Sequence, residues 1–195
     1  EKGVVAVIPP LPPGCMSTVW GQDERFVQTY FTSFRDKLIY TTFDWGIRDE
    51  DGYFFILGRT DDVINVAGHR LGTREIEEAV SAHEAIAEVA AVGVGDRLKG
   101  QTPRAFAVVK DAARVATPEL RAALEKEVMA KVDSLLGAIG RPKRVHFINQ
   151  LPKTRSGKVL RRSIQAIAEG RDPGDLTTLD DPIGIQMVKE AVEGK

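Results

Sequence analysis

Three stretches of this sequence hold residue types that could bind or polarise an anion or a sugar. The first is Tyr40-Thr41-Thr42-Phe43-Asp44, an aspartate ending a β-branched and aromatic run. A carboxylate at a strand end can accept two hydrogen bonds from a ribose diol, although aspartate also commonly opens a turn. The second runs from Gly58 to Gly72 and packs Arg59, Asp61, Asp62, His69 and Arg70 around a short apolar run. Glycine lets backbone approach a ligand closely and either arginine could hold a phosphate; a linker followed by a hairpin with solvated charges fits the same residues. The third is Leu151-Pro152-Lys153-Thr154-Arg155-Ser156-Gly157-Lys158. From Arg141 to Arg162 there are eight basic residues (141, 143, 144, 153, 155, 158, 161 and 162) and no acidic one. That concentration reads either as an anion site or as a solvated basic face. It is not a phosphate loop of the G-x-x-x-x-G-K-[ST] type, because the spacing is absent and Val159 follows the lysine.

Other chemistry is poorly supported. His69, His83 and His146 lack metal-ligand spacing and read as ordinary polar contacts, and neither Ser156 nor Cys15 has a nucleophile signature around it.

These stretches must be held by regular elements, which periodicity locates. Val4–Ile8 reads as a strand before a proline-rich link, and Gln22–Phe31 as a short helix with Phe26, Val27 and Tyr30 on one face. Leu38–Phe43 and Tyr53–Leu57 read as strands that make a hairpin around the Asp49–Gly52 turn. Beyond Gly58, a helix capped by Thr73 is expected with Ile76, Ala79 and Val80 inward. Strands follow at Ile86–Val94 and Ala105–Val109, separated by a polar loop from Gly95 to Pro103. Thr117-Pro118 starts a helix carrying Leu120, Leu124, Val128 and Val132, continuing into Leu135 and Leu136. Arg144–Ile148 reads as a strand and Val159–Ala168 as a last helix. The α-β-β-α-β-α order from residue 73 predicts an α+β module with a small sheet, and the Pro-, Gly- and Asp-rich tail from Gly170 reads as loosely packed.

Composition bounds the class. The chain has 195 residues, 27 basic and 28 acidic, a formal charge of −1, 43% hydrophobic residues and 28% charged ones. That is globular, too apolar for wholesale disorder, and too neutral to bind nucleic acid over its whole surface. No apolar run approaches the ~20 residues of a membrane span. The sole cysteine excludes an internal disulfide. The expectation is a soluble, cytoplasmic protein.

Taken together, these stretches make the chain resemble the C-terminal part of the AMP-forming acyl-CoA synthetases, in the adenylate-forming superfamily. The resemblance rests on Asp-Gly-Tyr at 51–53, Gly-Arg-Thr-Asp-Asp-Val-Ile-Asn-Val at 58–66, Gly-His-Arg-Leu-Gly-Thr-Arg-Glu-Ile-Glu at 68–77 and Pro-Lys-Thr-Arg-Ser-Gly-Lys at 152–158. It covers nearly the whole chain. Gly21–Phe26, the Gly68–Thr73 motif and Leu176–Pro182 point to the acetyl- and propionyl-CoA synthetase branch, and Thr42-Phe43-Asp44, where most relatives have Thr-Gly-Asp, leans to the propionate type.

The resemblance implies roles, residue by residue. Asp44 would bind the ribose hydroxyls, Arg59 would help hold the nucleotide and Arg70 would meet its phosphate side. Asp61 would be the hinge, Ala67 and Gly68 would line the coenzyme A channel, and Lys158 would be the adenylation lysine. ATP, Mg2+ and coenzyme A would be used to turn a short-chain carboxylate into acyl-CoA through acyl-AMP, the small domain rotating between the two steps. The implied organisation is 1–60 as the end of the large domain, 61–170 as the mobile domain and 171–195 as a tail. The family's phosphate-loop and acyl-pocket motifs have no counterpart here, so the chain reads as a fragment inactive by itself. A lysine acyltransferase and deacylase acting on Lys158 are implied partners; nucleic acid and membrane are not. Two departures stand out: Phe43 replaces a glycine, so backbone packing beside the ribose is expected to differ, and Asp133 aligns where acetyl-CoA relatives place a basic residue for the coenzyme A nucleotide, which leaves the choice open between Arg141, Lys143 and Arg144 for that phosphate. A peptide-synthetase adenylation domain and a basic nucleotide-binding module are the competing readings. The latter expects aromatic residues among the basic ones, and Phe147 alone sits there.

Overall fold

The computed structural model describes residues 2–60 and 62–194, so the hinge assignment at Asp61 lies outside the described residues. The chain divides into two compact units, residues 1–61 and 62–195.

In the first unit, β1 (Lys2–Val7), β2 (Tyr40–Arg48) and β3 (Phe54–Arg59) form an antiparallel sheet in the order β1-β2-β3, with helix α1 (Asp23–Tyr30) between β1 and β2 in sequence. Aromatic rings join the helix to the sheet: Tyr30 stacks on Tyr40 at 5.0 Å, and Phe26, 7% exposed, touches Tyr30 and Phe31. Such rings bury large apolar area at low entropic cost, which suits a helix of only eight residues. Gly46 leaves room between its neighbours on β1 and β3, since a Cβ there would lie 2.8 Å from Val5 Cγ2 and 3.3 Å from Phe55 O.

In the second unit, β4 (Val63–Val66) and β5 (His69–Gly72) form a hairpin leading into α2 (Thr73–Ser81). Then come β6 (Ile86–Asp96), β7 (Gly100–Val109), a 3-10 turn (Ala112–Val115), α3 (Pro118–Gly140), β8 (Arg144–Phe147), α4 (Arg161–Ala168) and α5 (Ile183–Glu193). The sheet order is β5-β4-β7-β6, with β8 parallel to β7. Residues Ala90 to Val94 are all buried, because helices cover both faces of the β6–β7 hairpin. Alternation sorts the hairpin's side chains: Ala91, Ala105 and Ala107 pack with Ile76, Val80, Leu124, Val128 and Val132, while Ala90, Val92, Val94 and Phe106 pack with Ile164, Ile167 and Val188. The mixed α+β class stands, and each fully buried aliphatic side chain stabilises it by about 1.5–3 kcal/mol.

Several local expectations give way to tertiary contacts. Gly95 to Pro103 is no loop: β6 and β7 stay paired to Asp96–Gly100, where the Asp96 carboxylate accepts the Leu98 and Lys99 amides and closes the turn. Thr73 does not cap α2; Gly72 holds that position and Thr73 is buried in the first turn. Thr117 does cap α3, its hydroxyl accepting the Leu120 amide at 3.3 Å. Leu124, Val128 and Val132 are buried, but Leu120 stays 43% exposed and Leu135 53%. A four-residue repeat drifts about 40° per step around a 3.6-residue helix, which carries Leu120 off the core face. Gly137, at φ 71°, interrupts α3.

The tail is the largest correction. Residues 183–193 form α5, with Ile185 and Val188 buried against α4, and Gly184 sits so close to Pro152 that a Cβ would lie 2.8 Å from its backbone. Pro, Gly and Asp between 172 and 182 masked the helical spacing of Ile185, Val188 and Val192 that follows. Among the described residues no helix is long and apolar enough to cross a membrane.

Candidate functional site

In the first unit the strand register sets Asp44 directly opposite Arg59. The carboxylate Oδ1 lies 4.0 Å from Nη1, and both side chains are partly exposed, so the pair is open to a ligand rather than closed on itself. A bulge aims Asp44. Val5 pairs with Asp44 but the next residue, Ala6, pairs with Thr41, so Thr42 and Phe43 are extra. Thr42 Oγ1 fills the gap by donating to Val5 O at 2.9 Å and accepting the Asp44 amide at 3.2 Å. Phe43 takes φ 62°. That is the left-handed region glycine enters freely, and holding it costs a residue with a side chain about 1–2 kcal/mol. Its ring packs on Tyr30 at 5.8 Å and lies 5.6 Å beneath the Arg59 guanidinium. Arg59 is thus steadied by ring, carboxylate and the Thr42 carbonyl at 3.4 Å.

In the second unit Ala67 and Gly68 are the two-residue turn between β4 and β5, with φ 50° and 88°. Positive φ at both central positions is the geometry that suits the twist of a tight hairpin. The Ala67 amide donates to Lys99 O at 2.8 Å, tethering the turn to the β6–β7 turn. Ala67, Gly68 and Arg70 are exposed, and Arg70 faces Asn65 in the hairpin register. The turn presents mainly backbone at its tip, since Ala67 and Gly68 have almost no side chain.

Lys158 lies in a small loop closed by pairing of Lys153 with Val159. Thr154 organises it: its amide donates to Lys158 O at 2.8 Å, its carbonyl accepts the Gly157 amide at 2.8 Å, and its hydroxyl accepts the Lys158 amide at 3.1 Å. The chain continues into α4, and residues 178–180 brace the near side, Arg155 N donating to Thr178 O and Asp180 N to Lys153 O. The ammonium of Lys158 is exposed and has no partner among the described residues. A braced loop presenting an uncompensated cation can meet negative charge developing on a ligand without first breaking an ion pair.

The rest of the basic run is largely neutralised by acids from distant parts of the chain. Arg141 bonds Asp133 at 2.8 Å, Lys143 lies 3.5 Å from Asp96, Arg144 3.8 Å from Glu125, Lys153 2.6 Å from Glu88 and Arg161 2.7 Å from Glu77. Arg155 and Lys158 keep side chains without a partner among the described residues. A patch that looked uniformly basic is therefore focused on one loop. Asp133 and Arg141 are brought together, so a cation is placed beside the acidic residue. Sequence reasoning passed over Glu77; it lies 84 residues from Arg161, and only the folded chain joins them.

His83 and His146 take polar contacts. His83 Nδ1 accepts the Ala85 amide at 3.2 Å and its Nε2 approaches Glu127 at 3.3 Å. His146 stacks on Phe106, and its Nδ1–H donates to the Ala191 carbonyl at 2.9 Å. Nε2 is then a buried lone pair without a donor. Burial, aided by the nearby Arg104 and Arg144 charges, drives the His146 pKa down to about 4.

Residues 75–158 match the family model for the AMP-binding enzyme C-terminal domain. The chain is 61% identical over 193 residues to a propionate–CoA ligase of Escherichia coli (strain K12), covering 99% of this chain and 31% of the relative. It is 44% identical over 192 residues to an acetyl-coenzyme A synthetase of Pyrobaculum arsenaticum, covering 98% of this chain and 28% of that one. The chain therefore spans about a third of the curated relatives it matches. Among solved structures, the anthranilate CoA ligase AuaEII in complex with anthranoyl-AMP superposes with a TM-score of 0.70 at 26% identity, over 87% of this chain and 30% of that one. Residues 75–158 are an AMP-binding enzyme C-terminal domain, in a chain similar along its length to propionate–CoA ligases.

Proposed function

We propose that this chain is the C-terminal region of an ATP-dependent, AMP-forming short-chain acyl-CoA synthetase, with propionate as the carboxylate. In the first half-reaction a carboxylate oxygen attacks the α-phosphorus of ATP; that P–O bond forms, the bond to the bridging oxygen breaks, and pyrophosphate leaves. In the second, the coenzyme A thiolate attacks the acyl carbonyl and AMP departs. The observation that carries the reading is the exposed and braced ammonium of Lys158, without a partner among the described residues, within a run whose other charges are mostly matched. In this role Lys158 stabilises charge on the attacking carboxylate and the α-phosphate.

The remaining roles follow the same assignment. Asp44 accepts from the ribose hydroxyls, Arg59 steadies the nucleotide and Arg70 meets its phosphate side. The Ala67–Gly68 turn lines the coenzyme A channel. Asp61, at the boundary between the two units, is the hinge between the half-reactions. On this reading residues 1–61 close the nucleotide-binding domain and residues 62–195 are the mobile one, needing the family's upstream part for activity. Mg2+ accompanies ATP; among the described residues no group of three or more His, Cys, Asp or Glu is placed to hold a metal. A Lys158 that is exposed and without a partner among the described residues suits reversible acylation by a lysine acyltransferase and deacylase, since acylation deletes the charge. A single cysteine fits a reducing, cytoplasmic setting. The matched charges of the basic run weigh against a nucleic-acid module.

The test uses the full-length protein. Propionate-dependent ATP–pyrophosphate exchange is expected, and Lys158→Ala should lower it at least 100-fold while thioester formation from supplied propionyl-AMP falls less than 3-fold, the order expected for removing one transition-state charge contact. Equal losses in both half-reactions would remove the role of Lys158, and no exchange in the wild type would remove the activity.

A further inference from the structure

Glu77 on α2 gathers three elements on one carboxylate. Arg161, the first residue of α4, donates from Nε to Oε1 at 3.0 Å and from Nη2 to Oε2 at 2.7 Å. The Ala91 amide of β6 donates to the same Oε1 at 2.9 Å. Only 13% of the Glu77 side chain and 29% of the Arg161 side chain are exposed. Burial disfavours the Arg161 cation, but the hydrogen bonds and charge of Glu77, with a contribution from Asp62, outweigh it and raise its pKa. A two-pronged pair in partial burial holds its geometry far better than a single exposed contact.

This pair sits at the foot of the Lys158 loop. Only Val159 and Leu160 separate Lys158 from Arg161. Val159 pairs with Lys153, and the Leu160 amide donates to Pro152 O at 3.0 Å, so there is little slack between the clamp and the lysine. Residues 178 and 180 hold the near foot; Glu77 and Arg161 hold the far one.

We propose that Glu77 is a positioning residue for Lys158, fixing through Arg161 where the ammonium stands during acyl-adenylate formation. The proposal rests on the reading of Lys158 as the adenylation lysine. Glu77 touches no substrate. It acts because displacing a catalytic group by about 1 Å can cost on the order of 100-fold in rate.

The test is Glu77→Gln in the full-length protein, an isosteric change that keeps an acceptor for Ala91 while removing the charge. Amide hydrogen exchange at Thr154, Gly157 and Lys158 should accelerate at least about tenfold, with the β6–β7 amides unchanged as a check on folding. ATP–pyrophosphate exchange should fall about tenfold, and thioester formation from supplied propionyl-AMP less than twofold. Arg161→Lys, which keeps the charge but loses the fork, should give an intermediate effect. Unchanged loop exchange, or equal losses in both half-reactions, overturns the proposal. If instead Lys158→Ala leaves pyrophosphate exchange intact, the adenylation reading fails, while loop hydrogen exchange still decides whether Glu77 holds the loop. Should Glu77→Gln not fold, Arg161→Lys carries the same measurements.

Discussion

Asp44 and Arg59 are direct register partners across β2 and β3, with carboxylate and guanidinium 4.0 Å apart and both reachable from solvent. An ion pair that is this exposed contributes about 0–1 kcal/mol to stability, so removing it should cost the fold little.

Asp44→Ala in the full-length protein should therefore raise KM for ATP at least about tenfold, equivalent to about 1.4 kcal/mol, while shifting the melting temperature by no more than a degree or two. Steady-state kinetics beside thermal unfolding separate the two; an unchanged KM would mean that Asp44 only ends a strand.

Acid should destabilise the second unit ahead of ordinary carboxylate titration. His146 is held neutral, with its pKa near 4 against an unperturbed value of about 6.5. Between those values the unfolded chain binds more protons than the folded one, so stability is complete above pH 6.5 and falls as pH drops through the window. The loss integrates to about 3 kcal/mol by pH 4. Urea melts from pH 7 to 4.5 should show this slope, and His146→Gln should flatten it. A slope unaltered by the substitution would assign the effect elsewhere.

Gly184→Val should cost about 1–3 kcal/mol, because its Cβ would meet the Pro152 backbone at 2.8 Å and neither partner is a flexible side-chain end. Pro152 adjoins Lys153 at the base of the lysine loop, so pyrophosphate exchange should fall in the variant at temperatures where it remains folded. Denaturant melts with wild-type stability would show that α5 can move off this contact freely.

Asp61→Pro should leave acyl-adenylate formation largely intact, where the fixed φ near −65° suits that state, and reduce thioester formation on the order of 100-fold. Measuring both half-reactions and the melting temperature distinguishes a frozen hinge from simple destabilisation. If all three are unchanged, residue 61 is not the pivot.

The local grammar of the chain was sufficient for much of this. Thr117-Pro118 announces α3, the alternating and periodic apolar residues locate most strands and helices, and the motifs at 58–77 and 152–158 carry the family resemblance that implies the candidate residues. These features are legible because they depend on neighbours within a few positions. What needed the folded chain depends on residues that are far apart. The left-handed backbone at Phe43 exists because Val5 and Ala6 on another strand force a bulge there. The tail is ordered because Ile185, Val188 and Gly184 find surfaces formed by residues 151–152 and α4. Above all, the sequence displays eight basic residues from 141 to 162 without any acidic residue, and nothing local says which of them would remain available. Tertiary packing matches Arg141, Lys143, Arg144, Lys153 and Arg161 with acids brought from elsewhere in the fold and leaves Lys158 exposed at its loop. Coulomb energy acts between side chains according to their distance in space, and only the fold determines that distance.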